Sequence, residues 1–234
     1  MSRKWMYVIA AVAGVAVVGA LVGVSLVGGK SSSKASSSTT VAMGPKTAAL
    51  LAGIPQHGDT LGSPRAPVTL VEYADMQCPY CAEYARNTLP ILIRDYVRTG
   101  KVKLVFRGLE FVGPDSDVAL RAVYAAGRQN KLWNYLDLMF ANQGTENTGW
   151  VTEDLIKSVG EAVPGLDVQK MLSDRQAQLV TDGIAISGQR GQFDGVDHTP
   201  WFEVGKTGGA TKVLDVSSLD PSAFSPTLDK LLNT

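Results

Sequence analysis

Apolar and polar positions divide the chain into three unlike stretches. From Trp5 to Val27, 23 consecutive residues carry one clearly polar side chain, Ser25. At about 1.5 Å of rise per residue, a helix of that length reaches about 34 Å, enough to cross a bilayer core. The segment is read as a transmembrane anchor. Arg3 and Lys4 would also suit an uncleaved signal, but the apolar run exceeds the usual h-region of about 7–15 residues. Lys30–Thr40, KSSSKASSSTT, has nothing to bury and reads as the middle of a flexible tether over 28–47. Basic residues flank the apolar run on both sides, Arg3 and Lys4 before it and Lys30 and Lys34 after it. Charge alone therefore gives no orientation.

The remainder, 48–234, has the texture of one globular α/β domain. Pro67–Tyr73 (PVTLVEY) is rich in β-branched residues and bounded by Gly62, Pro64 and Pro67, which predicts a strand buried on both faces. Residues 82–98 predict a helix, and Lys101–Arg107 (KVKLVFR), between Gly100 and Gly108, a second strand. From Asp115 the pattern turns helical. Segments 118–126, 132–140, 152–159, 167–172 and 174–189 are separated by Gly127, Gly144, Gly149 and Pro164-Gly165. A strand-like run returns after Pro200. The predicted fold class is thus β elements enclosing a helical block over about 115–192, preceded by one transmembrane helix.

Charge changes the picture once it is divided. The 22 Lys and Arg balance 22 Asp and Glu over 234 residues, yet the first 40 residues hold four bases and no acid. The rest has 18 bases against 22 acids, a net −4. Without a basic stripe to neutralise phosphates, nucleic acid is excluded as a partner. No glycine-rich phosphate loop follows a strand, and no His/Asp/Glu cluster has ligand spacing, so no metal or organic cofactor is expected.

The two cysteines carry the chemistry. Cys78 and Cys81 are separated by Pro79-Tyr80. A zinc site needs four ligands, and the two histidines, His57 and His198, lie far apart. A purely structural disulfide is disfavoured because the loop it closes is so short. What remains is a dithiol that cycles. It falls at a strand-to-helix turn, with Pro79 suited to the first helical turn. The free N–H groups and partial positive charge of a helix N-terminus favour a thiolate at Cys78, the expected nucleophile. Cys81, one turn further in, is the expected resolving thiol.

Leu70-Val-Glu-Tyr-Ala-Asp-Met-Gln-Cys-Pro-Tyr-Cys81, taken with Gly195-Val-Asp-His-Thr-Pro-Trp-Phe-Glu-Val-Gly205, resembles the DsbA-like branch of the thioredoxin superfamily. The resemblance covers about residues 48–232. It implies a thioredoxin fold with an inserted α-helical subdomain, a cis peptide at Pro200, and Thr199 beside the dithiol, where its backbone can pair with an incoming peptide. Where that family ordinarily has a small residue before the Thr-Pro, this chain has His198. The resemblance also implies a buried acid at Glu72 that exchanges a proton with the inner cysteine.

Two readings stand beside each remaining candidate. Strand alternation can turn Glu72 toward the dithiol, where burial would raise its pKa, or it is an edge-exposed glutamate. Lys101 and Lys103 are its candidate partners, or solvated lysines. His198, if protonated, would stabilise the Cys78 thiolate; otherwise it is a plain loop histidine. Tyr80 contacts partners or is an exposed aromatic. Trp133, Trp150, Trp201, Tyr124, Tyr135 and Phe140 read as packing.

The function expected is that of a monomeric extracytoplasmic thiol-disulfide oxidoreductase, anchored in the cell membrane by a single pass. It introduces disulfides into reduced, unfolded exported proteins, and by resemblance a quinone-linked membrane thiol oxidase re-oxidises it. That location, where disulfides persist, sets Arg3 and Lys4 inside. A reductase or isomerase of the same fold and an anchored binding or chaperone module without redox turnover are the alternatives.

Overall fold

The structure is a computed structural model and describes residues 41–234. The expected anchor at 5–27 lies outside the described residues. Among those described, no helix is long and apolar enough to cross a membrane.

In chain order the elements are α1 (Gly44–Leu51), β1 (Gln56–His57), β2 (Thr60–Leu61), β3 (Val68–Ala74), α2 (Pro79–Asn87), α3 (Leu89–Leu92) and a π turn (Ile93–Val97). Then follow β4 (Val102–Gly108), α4 (Pro114–Gly127), α5 (Leu132–Ala141), α6 (Glu153–Glu161), α7 (Val168–Asp174), α8 (Gln178–Asp194), β5 (Trp201–Lys206), β6 (Lys212–Val213) and α9 (Pro221–Leu232). The six strands form one mixed sheet in the order β1-β2-β4-β3-β5-β6, with β3 parallel to β4 and antiparallel to β5. β3 is thus central, with partners along both edges and packing on both faces, as its β-branched composition predicts. The block α4–α8 is the expected helical insertion between β4 and β5.

Three expectations about elements change. The helix read over 82–98 starts at Pro79, the proline read in its first turn, but breaks at Thr88 before continuing as α3 and the π turn. The cause is Pro90, which has no N–H to donate and whose ring would clash with the carbonyl four residues back. The Thr88 hydroxyl meanwhile donates to the carbonyl of Leu219. The helix read from Asp174 begins instead at Gln178, because Asp174 closes α7 and is held by Arg128 (2.9 Å) and Lys170 (2.7 Å). The tether expected to run to residue 47 ends sooner. Gly44 and Thr47 are buried within α1, the Thr47 hydroxyl donates to Asp137 on α5, and the Ala42 amide donates to Asn142 Oδ1 at 2.8 Å. Thr152 and Asp167, by contrast, cap α6 and α7 where expected, accepting from Leu155 N (3.1 Å) and Lys170 N (2.9 Å).

Side-chain alternation on β3 separates two layers. Leu70 and Ala74 join the main core, which includes Phe106, Phe202, Trp133, Tyr135 and Phe140. Val71 and Tyr73 point the other way, into a smaller cluster with Val105, Leu109 and Val196. There Gly191 of α8 packs closely: a Cβ would stand 3.1 Å from the Leu109 side chain, which would have to give by a few tenths of an ångström. On the main-core side, Phe224 of α9 packs edge-on against Phe202 (4.9 Å between centroids) and at a tilt against Tyr84 of α2 (5.6 Å). α9 therefore clamps the dithiol-bearing helix to β5.

Phe224 is fully buried. Phe224→Ala is expected to cost about 3–5 kcal/mol of stability, read as a lower denaturant midpoint. A loss under about 1 kcal/mol would show that α9 does not clamp the site.

Candidate active site

The site forms where the C-terminal end of β3 turns into α2. Asp75, between them, is fully buried, and its carboxylate is the hub of the turn. One oxygen accepts from the Gln77 amide (2.8 Å) and the Ser116 hydroxyl (2.6 Å), the other from the amides of Phe111 (2.6 Å) and Val112 (2.9 Å). The Asp75 carbonyl accepts from the Cys78 amide at 3.1 Å. Gln77 is buried too, giving a hydrogen bond to Ser116 and taking one from the Asn147 amide (2.8 Å). From the insertion, Gln143 Nε2 donates to the carbonyls of Met76 (2.9 Å) and Cys78 (3.1 Å). Sequence reading missed this scaffold. Asp75 and Gln77 were visible as polar residues in an apolar run, whereas Gln143 stands 65 positions from Cys78 and carries no local signal.

Cys78 is the N-cap of α2: its backbone is extended, Pro79 takes the first helical turn, and Sγ accepts from the Cys81 amide at 3.4 Å. Both thiols are free. The Cys78 thiol donates to the carbonyl of Thr199 at 3.2 Å. Its pKa is lowered to about 6. The Cys81 side-chain hydrogen bond is the largest cause, and the Thr199 side chain and the amides of Cys81 and Tyr80 add to it against the opposing effect of burial. Cys81 has no exposed surface, and its pKa is pushed well above the ordinary thiol value by burial, then by Cys78 and by the nearby Glu72 charge. One thiol is thus poised as a thiolate and the other held protonated, the asymmetry dithiol exchange needs.

Glu72 lies on the dithiol face of β3, flanked in register by Phe106 and Phe202. It is 2% exposed, and neither carboxylate oxygen has a hydrogen-bond partner. Burial, reinforced by the Cys78 charge, raises its pKa to about 8. The edge-exposed reading is overturned. So is a lysine partner: Lys101 is exposed, Lys103 pairs in register with Thr69 rather than Glu72, and among the described residues no ion pair reaches Glu72. Tyr84 Oη is likewise buried without a partner, and its pKa is raised by burial and by the Glu72 charge.

The Thr199–Pro200 peptide is cis and faces Cys78 through the Thr199 carbonyl. Beside it opens a cavity of about 370 Å³ lined by His198, Pro200, Trp201, Phe202, Leu214 and Val216, with Asp197 and Asp215 at the rim. His198 bonds Asp197 through Nδ1 (2.6 Å) and packs edge-on to Trp201 at 5.1 Å. It is exposed and is not among the groups that lower Cys78. The structure therefore sets His198 in the groove wall rather than on the thiol. Tyr80 projects from the first turn of α2 and is 63% exposed. Trp133, Tyr135 and Phe140 are core residues, while Trp201 shares the groove. Among the described residues, no group of three or more His, Cys, Asp or Glu side chains is placed to hold a metal ion.

The buried acid makes stability pH-dependent. Its folded pKa exceeds the ordinary carboxylate value, so its contribution is fully present below about pH 4.5 and lost as pH rises through about 8. Glu72→Gln removes that loss. Relative to the native protein, the reduced variant should gain on the order of 3 kcal/mol between pH 4 and pH 7. Denaturant unfolding at the two pH values checks this, and an equal difference at both would mean an ordinary carboxyl.

Comparison with known proteins agrees with this geometry. A thioredoxin family model matches residues 56–207. A probable disulfide bond formation protein D of Bacillus cereus is 35% identical over 136 residues, an alignment spanning 57% of this chain and 63% of that protein. The chain thus matches less than two thirds of that relative's length. The crystal structure of oxidised BdbD from Bacillus subtilis superposes with a TM-score of 0.67 at 22% identity, covering 77% of this chain and 98% of that one. A thioredoxin-like oxidoreductase from Silicibacter pomeroyi superposes at 0.59 with 28% identity, covering 75% and 92%. With the family model spanning most of the chain and the cis-proline loop closing on the Cys-Pro-Tyr-Cys turn, this chain belongs to the thioredoxin family, in the helix-inserted, DsbA-like form of its fold.

Proposed function

We propose that the protein is a thiol-disulfide oxidoreductase that works outside the cytoplasm and introduces disulfides into exported proteins. The observation that carries this reading is the split between the two thiols: Cys78 lowered to about 6 at the helix N-terminus, and Cys81 raised in the core behind it. The disulfide bond formation protein D of Bacillus cereus supports it.

In the oxidised enzyme Cys78 and Cys81 share a disulfide. A client lies along the groove beside Pro200 and Thr199, with His198 and Tyr80 on its walls, and its thiolate attacks Cys78 Sγ. The S–S bond breaks and its electron pair leaves on Cys81. Glu72, which burial biases toward its protonated form, is the proton donor that converts the Cys81 thiolate to a thiol in a region water does not reach. A second client thiolate then attacks the client sulfur of the mixed disulfide. Cys78 departs as a stable thiolate, the client has lost two electrons, and the enzyme has gained them. A low leaving-group pKa speeds this last step and makes the disulfide form more oxidising. Re-oxidation passes the two electrons to a membrane thiol oxidase linked to quinone. The apolar segment 5–27 would hold the domain at the extracytoplasmic membrane face, where such a partner resides.

Three measurements on the full chain test the reading. Alkylation of Cys78 should titrate with a midpoint near pH 6, and Cys81→Ala should move that midpoint upward by removing the largest contribution to it. The same variant should accumulate mixed disulfides with exported proteins, identifiable by mass spectrometry, while Cys78→Ser accumulates none. A reduction potential near or below about −270 mV, with no oxidation of a reduced unfolded protein, would falsify the oxidase assignment.

A further inference from the structure

α8 presents two apolar faces. Val180, Ile184, Ser187 and Gly191 are buried against the domain. On the opposite side Leu179, Ile186 and Phe193 are 68%, 58% and 80% exposed. These are three of the seven large apolar side chains exposed among the described residues, and they stand on one helix at intervals of seven residues. Seven residues are close to two helical turns, so the three side chains form a stripe about 21 Å long. A seven-residue repeat is the spacing that keeps two helices in contact at a shallow left-handed crossing.

The stripe is complementary to itself. A two-fold axis through Ile186, relating two antiparallel copies of α8, sets Ile186 against Ile186. It sets Leu179 against Phe193, each seven residues from the centre, and Asp182 against Arg190, each four residues away. Each Asp182 thus stands level with Arg190 of the other copy, across the apolar seam. Within one copy Asp182 accepts from Gln178 (2.8 Å), and Arg190 pairs with Asp194 (2.6 Å) and lies over the Phe193 ring (5.2 Å), so both charges are held at the edges of the stripe. An isologous two-fold contact needs this kind of matching, with each patch complementary to its own reversed copy. A lipid surface or an unrelated apolar partner would not require an acid and a base equidistant from the centre.

We propose that α8 is the surface through which two copies of this chain associate, as an antiparallel helix pair centred on Ile186. A stripe of about four turns on one helix lies at the small end of protein interfaces, below about 1,200 Å² in total. The pair is therefore weak and reversible, and confinement of the chain to a surface would favour it by raising its effective concentration. None of the stripe residues bonds the dithiol, so the association does not rest on the redox assignment.

The test uses the full chain in membranes with p-benzoylphenylalanine in place of Ile186, and reads covalent dimer after irradiation. Dimer is expected with the otherwise native sequence. D182R opposes Arg with Arg and R190D opposes Asp with Asp, so each should lower the dimer yield about tenfold. The double variant restores opposite charges and should restore the yield. Circular dichroism and the Cys78 alkylation midpoint report whether each variant is folded. D182R, which loses only the bond to Gln178, carries the test should R190D not fold. Monomer throughout, adducts with lipid or other proteins alone, or a dimer yield indifferent to the charge swaps would overturn the proposal.

Discussion

The hydrogen bonds that converge on the sulfur of Cys78, from the Cys81 side chain first and then from the open end of α2, are the interactions from which the site's chemistry follows. A helix must leave its first N–H groups without partners inside the helix, and here the nucleophile occupies the position that receives them. Cys78 thereby gains a site for negative charge without a cationic side chain. Because Cys81 is one turn along the same helix, facing the core, the geometry that favours charge on one sulfur buries the other. The two thiols are set apart by three residues of sequence and by the direction of a helix axis.

That arrangement is useful only if the turn leading into α2 is fixed, and the insertion supplies the fixing. Asp75 gathers amides from the segment after β4 and a hydroxyl from α4, while Gln143 reaches from the end of α5 to the carbonyl of Cys78 itself. The helical block therefore belongs to the redox site as much as the sheet does. From the other side α9 presses Phe224 against Phe202 and Tyr84, so α2 is held between the insertion and the last helix of the chain.

Much of this was legible in the sequence because the signals were local. The β-branched run before Cys78, the proline after it and the glycine and proline breaks between the helical segments each act over a few positions, and they gave β3, the start of α2, and α6 and α7. Pro90 is equally local, and it breaks the helix read over 82–98 at Thr88. What was not legible depends on distant partners. α1 is stabilised by α5, and β1, β2 and β6 are two residues each. The burial of Glu72 was decided by Phe106 and Phe202 arriving from strands 34 and 130 positions away. His198, by contrast, stood next to the right residue but turned to Asp197 and Trp201, because the cis-proline loop offers its backbone carbonyl, and not that ring, to the thiol.

Placing Glu72 between two phenylalanines also sets the proton count of the redox couple. Above about pH 6 the reduced site keeps Cys78 charged, so on sulfur it gathers one proton for two electrons. The new negative charge raises the affinity of Glu72 for a proton, and oxidation lowers it again. Electron transfer at the Cys78 sulfur is thereby accompanied by partial proton uptake deeper in the sheet, and the carboxyl acts as a counterweight that limits the change in net charge of the interior. Near neutral pH the dependence of the couple on acidity then falls between one and two protons per disulfide, at a value set by the packing around a residue that never touches the client.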